Sequence, residues 1–214
     1  MARTTAPLLS FDAAGQIGKT QVYASWKGRA YARRYVIPSN PKSTEQTLTR
    51  TTFSWLQHAF AYFPTAAVAA WELKASNNRI TANNQWIKDN LALLREETDL
   101  NLLVMSPAAG GGVPAGAFTV TPGNDQLQLV LAAPSLPTGW SIVKAHFAVI
   151  RDQDPQTQTL YTVSYAEDAT SAYDQTITGL ASAALYQCAG WFSYLTDTGK
   201  TVYGANQRTT GLTT

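Results

Sequence analysis

The stretch ALYQCAGWFSYLTDTGKTVYG, residues 184–204, decides the fold of the C-terminal half. Residues on alternate positions share one side of an extended strand. Asp197-Thr198-Gly199 is a turn signal, and the residues after it predict a returning strand. The residues on the apolar side of the long strand are Tyr186, Cys188, Gly190, Phe192 and Tyr194.

The sequence before this hairpin repeats the same pattern of short strands and turns. Together with the hairpin, the predicted strands are 117–121, 126–132, 141–151, 159–166, 172–178, 185–195 and 201–207. Such a series of short strands, separated by turn signals, predicts a β-sandwich. The last two strands resemble the final hairpin of a fibronectin-III or immunoglobulin-like domain, with Tyr186 as the tyrosine of its corner.

The first hundred residues have a different pattern. Alternation around Val22-Tyr23-Ala24 and Tyr31-Ala32-Arg33 predicts a β-hairpin that turns at Lys27-Gly28. Apolar residues then recur at helical spacing and predict a helix over 42–62, which starts at Ser43 or at Asn40-Pro41 and stops at Pro64. Two further helices are predicted, with Thr65 and Thr81 as their caps.

The segment SPAAGGGVPAGA, residues 106–117, contains three consecutive glycines and predicts a linker. We therefore expect an attachment domain at 1–105, a linker at 106–117 and a sandwich at 118–214. The predicted class is α+β, in which a β-hairpin and a helical cluster precede an all-β immunoglobulin-like domain.

Composition and charge narrow the classes of protein. Charged residues make up 14% of the 214 residues, against about 25% in an average soluble domain, which suits a chain packed against neighbours. Residues 1–50 hold eight Lys/Arg and two Asp/Glu, whereas residues 113–214 hold four and seven. We expect the two ends to face different partners. The start has no signal-peptide pattern, which predicts that the chain is made and kept in a reducing cytoplasm.

No catalytic constellation stands out. His58 and His146 are interpreted as ordinary helix-face and strand residues, and the single cysteine, Cys188, as a small buried hydrophobe. Asp152 and Asp154 could hold Ca²⁺, but a plain turn explains them too. The glycine run lacks the Lys-Ser/Thr of a phosphate loop. We therefore expect no enzyme activity, no cofactor and no metal.

The hairpin is the most informative cluster because arginines alternate there with aromatic residues. Arginine with tryptophan and tyrosine is typical of protein–protein interfaces, although the same residues can bind nucleic acid. We favour a protein partner since the rest of the chain is not basic. The predicted partner-binding residues are Trp26, Lys27, Arg29, Tyr31, Arg33, Arg34 and Tyr35.

The N-terminal string also carries a resemblance. From Gly15 to Gln46, the pattern G-x-x-G-K-T-x-V-Y-x-x-W-K-G-x-x-Y-x-R-x-Y-V-x-P-x-N-P-x-[ST]-x-x-Q is similar to the start of a group of uncharacterised proteins from tailed-phage and prophage structural gene clusters. The resemblance covers about residues 8–95. It implies a virion structural protein, bound to capsid, portal, neck or tail subunits as a homo- or hetero-oligomer and displaying its immunoglobulin-like domain as a decoration or collar protein.

Two other functions stay open at this stage. The sandwich could be a tail or fibre adhesin, in which Trp140 and Tyr161 would be sugar platforms, although a core role for Trp140 is the simpler interpretation. A small lysis enzyme is the other candidate, and the lack of a paired acid, metal set or triad counts against it.

Overall fold

The chain divides into two units after Lys42, and each is described by itself. The computed structural model describes residues 2–3, 15–26, 29–37, 39–96, 103–152 and 163–214. The first unit is Met1–Lys42 and the second is Ser43–Thr214. The boundary expected at 106–117 is therefore corrected, since the helices and the sandwich belong to one unit.

An antiparallel four-stranded sheet forms the described part of the first unit. Its strands are β1 (Ala2–Arg3), β2 (Gly15–Ile17), β3 (Gln21–Trp26) and β4 (Arg29–Arg34), in the order β1-β4-β3-β2. β3 and β4 pair from Gln21 opposite Arg34 to Trp26 opposite Arg29, which confirms the predicted hairpin. The Lys27-Gly28 turn lies outside the described residues.

Helices open the second unit, and those within the described residues are α1 (Thr44–Phe60), α2 (Thr65–Ser76) and α3 (Ala82–Glu96). The Ser43 hydroxyl accepts the N–H of Gln46 at 3.3 Å, so α1 starts at the capping-box serine. Thr81 likewise accepts an N–H in the first turn of α3 at 3.3 Å. Thr65 is the first residue of α2 rather than its cap, a position that Pro64 takes because proline fixes the extended backbone there.

Two antiparallel sheets make the sandwich. One has the order β5-β6-β9, with strands β5 (Phe118–Gly123), β6 (Gln126–Leu131) and β9 (Asp174–Thr178). The other has the order β11-β10-β7-β8, and β12 also pairs with β10. Its strands are β7 (Ser141–Arg151), β8 (Val163–Asp168), β10 (Leu185–Leu195), β11 (Thr201–Tyr203) and β12 (Gln207–Leu212).

The last predicted strand, 201–207, is in fact split in two. β11 pairs with the end of β10, where Ser193 stands opposite Tyr203, and β12 pairs with its start, from Gly190 opposite Gln207. The segment between β11 and β12 remains hydrogen-bonded to β10, because the N–H of Gly204 donates to Phe192 O at 3.0 Å.

Tyr186 makes the predicted corner. Its hydroxyl accepts the N–H of Ala181 at 2.8 Å, a bond that returns from the start of the strand to the connection before it. The predicted alternation is also confirmed, since Tyr186, Cys188, Phe192 and Tyr194 all lie in the core between the two sheets.

The sheet that contains β10 is covered on both faces. Its second face, with Ala148, Ile150, Ala189 and Trp191, packs against the helices in another apolar core. β7 and β10 are consequently buried along most of their length, as strands covered on both sides are. The helix residues of largest size in this core are Trp55, Trp71 and Trp86.

Residues 103–109, which we call the strap, connect the helices to the sandwich. The Trp71 indole N–H donates to Met105 O at 2.9 Å, and Asn90 Oδ1 accepts the N–H of Val104 at 2.7 Å. Ala109 then exchanges backbone hydrogen bonds with Tyr203, at 2.9 and 3.0 Å. One side of the strap is thus bonded to α2 and α3, and its end is bonded to the edge of the sandwich.

The glycines after the strap are packed and not a linker. A Cβ on Gly112 would lie 2.1 Å from the backbone oxygen of Tyr203, and one on Gly204 would lie 2.3 Å from Val113 O. Glycine is needed here because two backbones approach closely. This contact is the physical reason why 106–117 joins the helices and the sandwich into one unit.

Candidate protein–protein interface

The strand register divides the predicted site residues between two faces of the N-terminal sheet. Successive residues of a strand alternate between faces, and residues directly opposite each other share one. Arg33 stands opposite Val22, whereas Arg34 stands opposite Gln21. The Arg33 face comprises the register positions of Val22, Ala24, Trp26, Arg29, Tyr31 and Arg33. The Arg34 face comprises those of Gln21, Tyr23, Ser25, Ala30, Ala32 and Arg34.

The predicted site residues are thus not all brought together. Tyr31 is half-buried, and Arg33 and Arg34 are exposed. Trp26 and Arg29 are described by their backbone alone, as an opposed pair at the end of the hairpin, and Lys27 lies outside the described residues. Tyr35 follows β4 and donates its N–H to Thr20 O at 2.8 Å.

The N-terminal sheet has no core of its own in its described part. From residue 15 to residue 37, every side chain whose burial is described is exposed or half-buried. Val36 is 66% exposed and Ile37 is 72% exposed. A small sheet without a packed apolar face is only marginally stable in water. Covering these side chains with another surface would therefore stabilise the sheet.

Charge adds to this picture. Residues 13–44 contain Lys19, Lys27, Arg29, Arg33, Arg34 and Lys42 and no Asp or Glu. A segment with six cationic residues and no acidic one favours an anionic partner, because charge complementarity steers association and fixes register.

A buried polar chain in the second unit was not predicted. His146 Nε2 lies 2.9 Å from the Ser193 hydroxyl oxygen, and His146 Nδ1 lies 2.7 Å from the Tyr165 hydroxyl oxygen. The Tyr165 hydroxyl donates to Glu167 Oε2 at 3.1 Å, and Glu167 in turn pairs with Lys144. The chain therefore runs from a surface ion pair to a buried serine.

Burial shifts the pKa values of the residues in this series of hydrogen bonds. It lowers the pKa of His146 to about 4, although Glu167 acts in the opposite direction, and Lys144 adds to the lowering. Burial and the hydrogen bond to Glu167 raise the pKa of Tyr165. His146 is thus neutral at pH 7, and because Tyr165 donates to Glu167, Nδ1–H donates to Tyr165. This leaves Nε2 as an acceptor facing the Ser193 hydroxyl, which also lies 3.4 Å from Lys144 O as a donor.

The serine–histidine contact resembles a nucleophile and its base, but both side chains are buried and packed against the neighbouring residues. Ser193 is 4% exposed and His146 is 3% exposed, and the imidazole stacks on Trp191 at 5.5 Å. Nucleophilic catalysis needs room for a substrate beside the hydroxyl. The arrangement instead gives the buried polar groups their partners. Single-strand periodicity carries no signal for it, because its members come from three strands.

The other sequence candidates have structural roles. Cys188 is buried, and burial raises the pKa of its thiol to about 12, which agrees with a small buried hydrophobe. Asp152 Oδ2 accepts from Gln187 Nε2 at 2.8 Å, and Asp154 lies outside the described residues. Within the described ranges, no group of three His, Cys, Asp or Glu side chains is placed to hold a metal ion.

Of the two aromatic residues considered as sugar platforms, the structure describes Trp140. Trp140 is half-buried, packs against the core between the sheets and lies 6.3 Å from the Tyr194 ring. Tyr161 is outside the described part of the chain. The core interpretation of Trp140 is therefore the correct one. Among the described helices, none has the length and apolar character needed to cross a membrane.

Comparison with known proteins gives a likeness to solved structures over about half of the chain. No family model and no curated protein matches the chain. Among solved structures, the FN5 domain of Drosophila Lar is 16% identical over 47% of this chain and 95% of its own, with a TM-score of 0.35. An FN3 domain of human collagen XX is 15% identical over 50% and 97%, with a TM-score of 0.36. By its own strand order and packing, this chain is an α+β protein with a fibronectin-III-like β-sandwich in its C-terminal half.

Proposed function

We propose that this chain is a non-enzymatic structural protein of a tailed-bacteriophage particle. Its N-terminal sheet docks on the capsid or head–tail region, and its second unit is the displayed part, as in a decoration or collar protein. Its partners are other virion subunits, it acts as a homo- or hetero-oligomer, and it is assembled in the bacterial host cytoplasm. No cofactor takes part.

The observation that carries the proposal is the uncovered N-terminal sheet. Its described side chains are all exposed or half-buried, and Val36 and Ile37 extend it with aliphatic surface. A sheet of this size gains stability when an apolar face is covered. Arginine and tyrosine on the same strands are the residue types that anchor protein interfaces. A neighbouring subunit would supply the missing cover.

The second unit supports the same function in a different way. The helices, the strap and the two sheets share hydrogen bonds and two apolar cores, so the displayed part is one packed body of residues 43–214 rather than a hinged sandwich. Display of many copies over a lattice would make weak surface contacts useful, because linked sites bind with high effective concentration.

Incorporation into particles tests the proposal. The double variant Arg33→Glu/Arg34→Glu changes two exposed residues of the sheet, one on each face. Lys88→Glu/Lys200→Glu is the matched control, because it makes the same change of charge at exposed positions of the second unit. Particles produced by the genome that encodes the chain are purified, and the amount of each variant per particle is measured by quantitative mass spectrometry.

We expect the sheet variant to be depleted at least about tenfold, as loss of charge-assisted contacts implies, and the control to be retained. Equal incorporation of the sheet variant and the unchanged chain would contradict docking through this sheet. Absence of the unchanged chain from purified particles would contradict the virion assignment itself.

A further inference from the structure

The two faces of the N-terminal sheet differ in the residues that they carry. On the Arg33 face, Arg29 and Arg33 flank Tyr31, and the edge strand adds Arg3, which stands opposite Tyr31. On the Arg34 face, Arg34 is the single cation at the positions of the hairpin, among the small residues Ser25, Ala30 and Ala32. By register, three of the four arginine positions of the strands therefore belong to one face.

We infer that docking uses the Arg33 face alone, and that its partner is an acidic protein surface with an apolar centre. This inference rests on the proposed function and makes it more specific. It assigns different roles to two adjacent arginines that are both exposed and carry the same charge.

The alternation of the strand separates these arginines. Arg33 is opposite Val22, and the next pairing toward the turn on the same face is Tyr31 opposite Ala24. Val22, Ala24 and Tyr31 are half-buried and form an apolar patch beside Arg33. Such a patch with an arginine at its border has the layout of an interface core and rim.

The other face differs chiefly in its charge. Arg34, opposite Gln21, is the only charged residue at the hairpin positions of that face. Tyr23 donates its hydroxyl to Gln21 Oε1 at 3.0 Å, so its polar end already has a partner within the sheet. A partner placed there would meet small residues, this tyrosine and Ile17, which stands opposite Gln21, but only a single arginine.

Charge and shape together define the partner. The absence of Asp and Glu from residues 13–44 leaves the arginines of this face without carboxylates nearby in the sequence, and arginine binds carboxylates in a bidentate geometry. Phosphate would also suit arginine, but a nucleic-acid backbone offers nothing apolar to cover Val22 and Ala24. Base stacking would need a free aromatic plane, and Tyr31 is half-buried. A protein with acidic residues around an apolar strip satisfies all these groups.

Binding by the purified full-length chain tests this inference. The probes are fluorescein-labelled poly-L-glutamate and a labelled DNA duplex of about 20 base pairs, and the readout is fluorescence anisotropy at one fixed salt concentration. Arg33→Glu is compared with its neighbour Arg34→Glu, so that both variants change the net charge equally. Arg33→Gln removes the charge without reversal, and circular dichroism checks that each variant is folded.

We expect Arg33→Glu to weaken poly-L-glutamate binding about tenfold or more, Arg33→Gln to weaken it less, and Arg34→Glu to weaken it less than about twofold. Equal losses in Arg33→Glu and Arg34→Glu overturn the choice of face. Tighter binding to DNA, with the same dependence on Arg33, overturns the choice of partner, as does a failure of the unchanged chain to bind poly-L-glutamate.

The same single variants, assayed for incorporation into particles, separate this inference from the proposed function. Selective depletion of Arg33→Glu supports both. Depletion of both single variants to the same extent keeps the docking role of the sheet and overturns the assignment to one face.

Discussion

The N-terminal sheet and the sandwich are both built from antiparallel strands, but they differ in what covers them. β10 has an apolar core on each face, whereas β3 and β4 have no buried side chain among those whose burial is described. Pairing of strands thus needs only alternation and a turn, whereas cover has to come from other elements. The sandwich is thus covered by its own chain, whereas the described side chains of the N-terminal sheet are not buried.

The largest expected effect tests whether the segment after the strap is packed. Gly112→Ala would place a methyl group 2.1 Å from the backbone oxygen of Tyr203, and the Tyr203 backbone is held in place by its two hydrogen bonds with Ala109. We expect a loss of more than about 4 kcal/mol in the free energy of unfolding, measured by urea denaturation.

Gly111→Ala is the matched control for this change. Its Cβ would meet nothing within 4 Å, and only its φ of +84° opposes a side chain, which costs about 1–2 kcal/mol. If both substitutions cost the same small amount, the segment behaves as a linker and the single second unit is wrong.

An intermediate effect is expected from His146, whose protonation makes the free energy of unfolding depend on pH. Its pKa is about 4 in the folded chain and about 6.5 when unfolded, so the unfolded state binds the extra proton. The stabilisation is complete above pH 6.5 and is lost as the pH falls toward 4, by on the order of 2–3 kcal/mol.

Denaturation of the unchanged chain, of His146→Gln and of His58→Gln at several pH values measures this contribution. We expect His146→Gln to be less stable at pH 7, because Tyr165 and Ser193 lose their imidazole partner, but to have a flatter pH profile between 6.5 and 4. His58 lies exposed on α1, and its variant is the control for replacing a histidine elsewhere in the second unit. A slope unaltered by His146→Gln contradicts the assignment.

The smallest expected effect compares one tyrosine from each region. Tyr186→Phe removes the buried corner bond to the N–H of Ala181 and should cost about 1 kcal/mol. Tyr23→Phe removes an exposed bond to Gln21 and should cost less than about 0.5 kcal/mol. Thermal unfolding of both variants checks the order, and a larger cost for Tyr23→Phe would contradict the view that only the sandwich is self-supporting.

The features predicted correctly depend on neighbours in the sequence. Ser43 caps α1 through a residue three positions away, and Tyr186 reaches a residue five positions away, so local pattern was sufficient for both. Gly112 and His146 could not be interpreted in this way. The contact of Gly112 with Tyr203 and the three-strand chain around His146 exist only after the sheets form, and a glycine run or a lone histidine has no local pattern that indicates such partners.

At the candidate interface, by contrast, the local pattern held information that the sequence interpretation did not use. Alternation predicted the hairpin and therefore implied that Arg33 and Arg34 point apart, yet composition grouped them as one cluster. The strand register corrects this without any long-range contact. What the local pattern does not contain is the identity of the partner surface that we propose for Val36 and Ile37.

The strap has a consequence for how this protein can change by recombination. An exchange of genetic modules within 106–117 would separate Trp71 from the backbone of Met105 and expose Trp191 to water. A crossover between residues 42 and 43 would leave both cores intact. Heritable swapping of the second unit should therefore transfer helices and sandwich together, as one block.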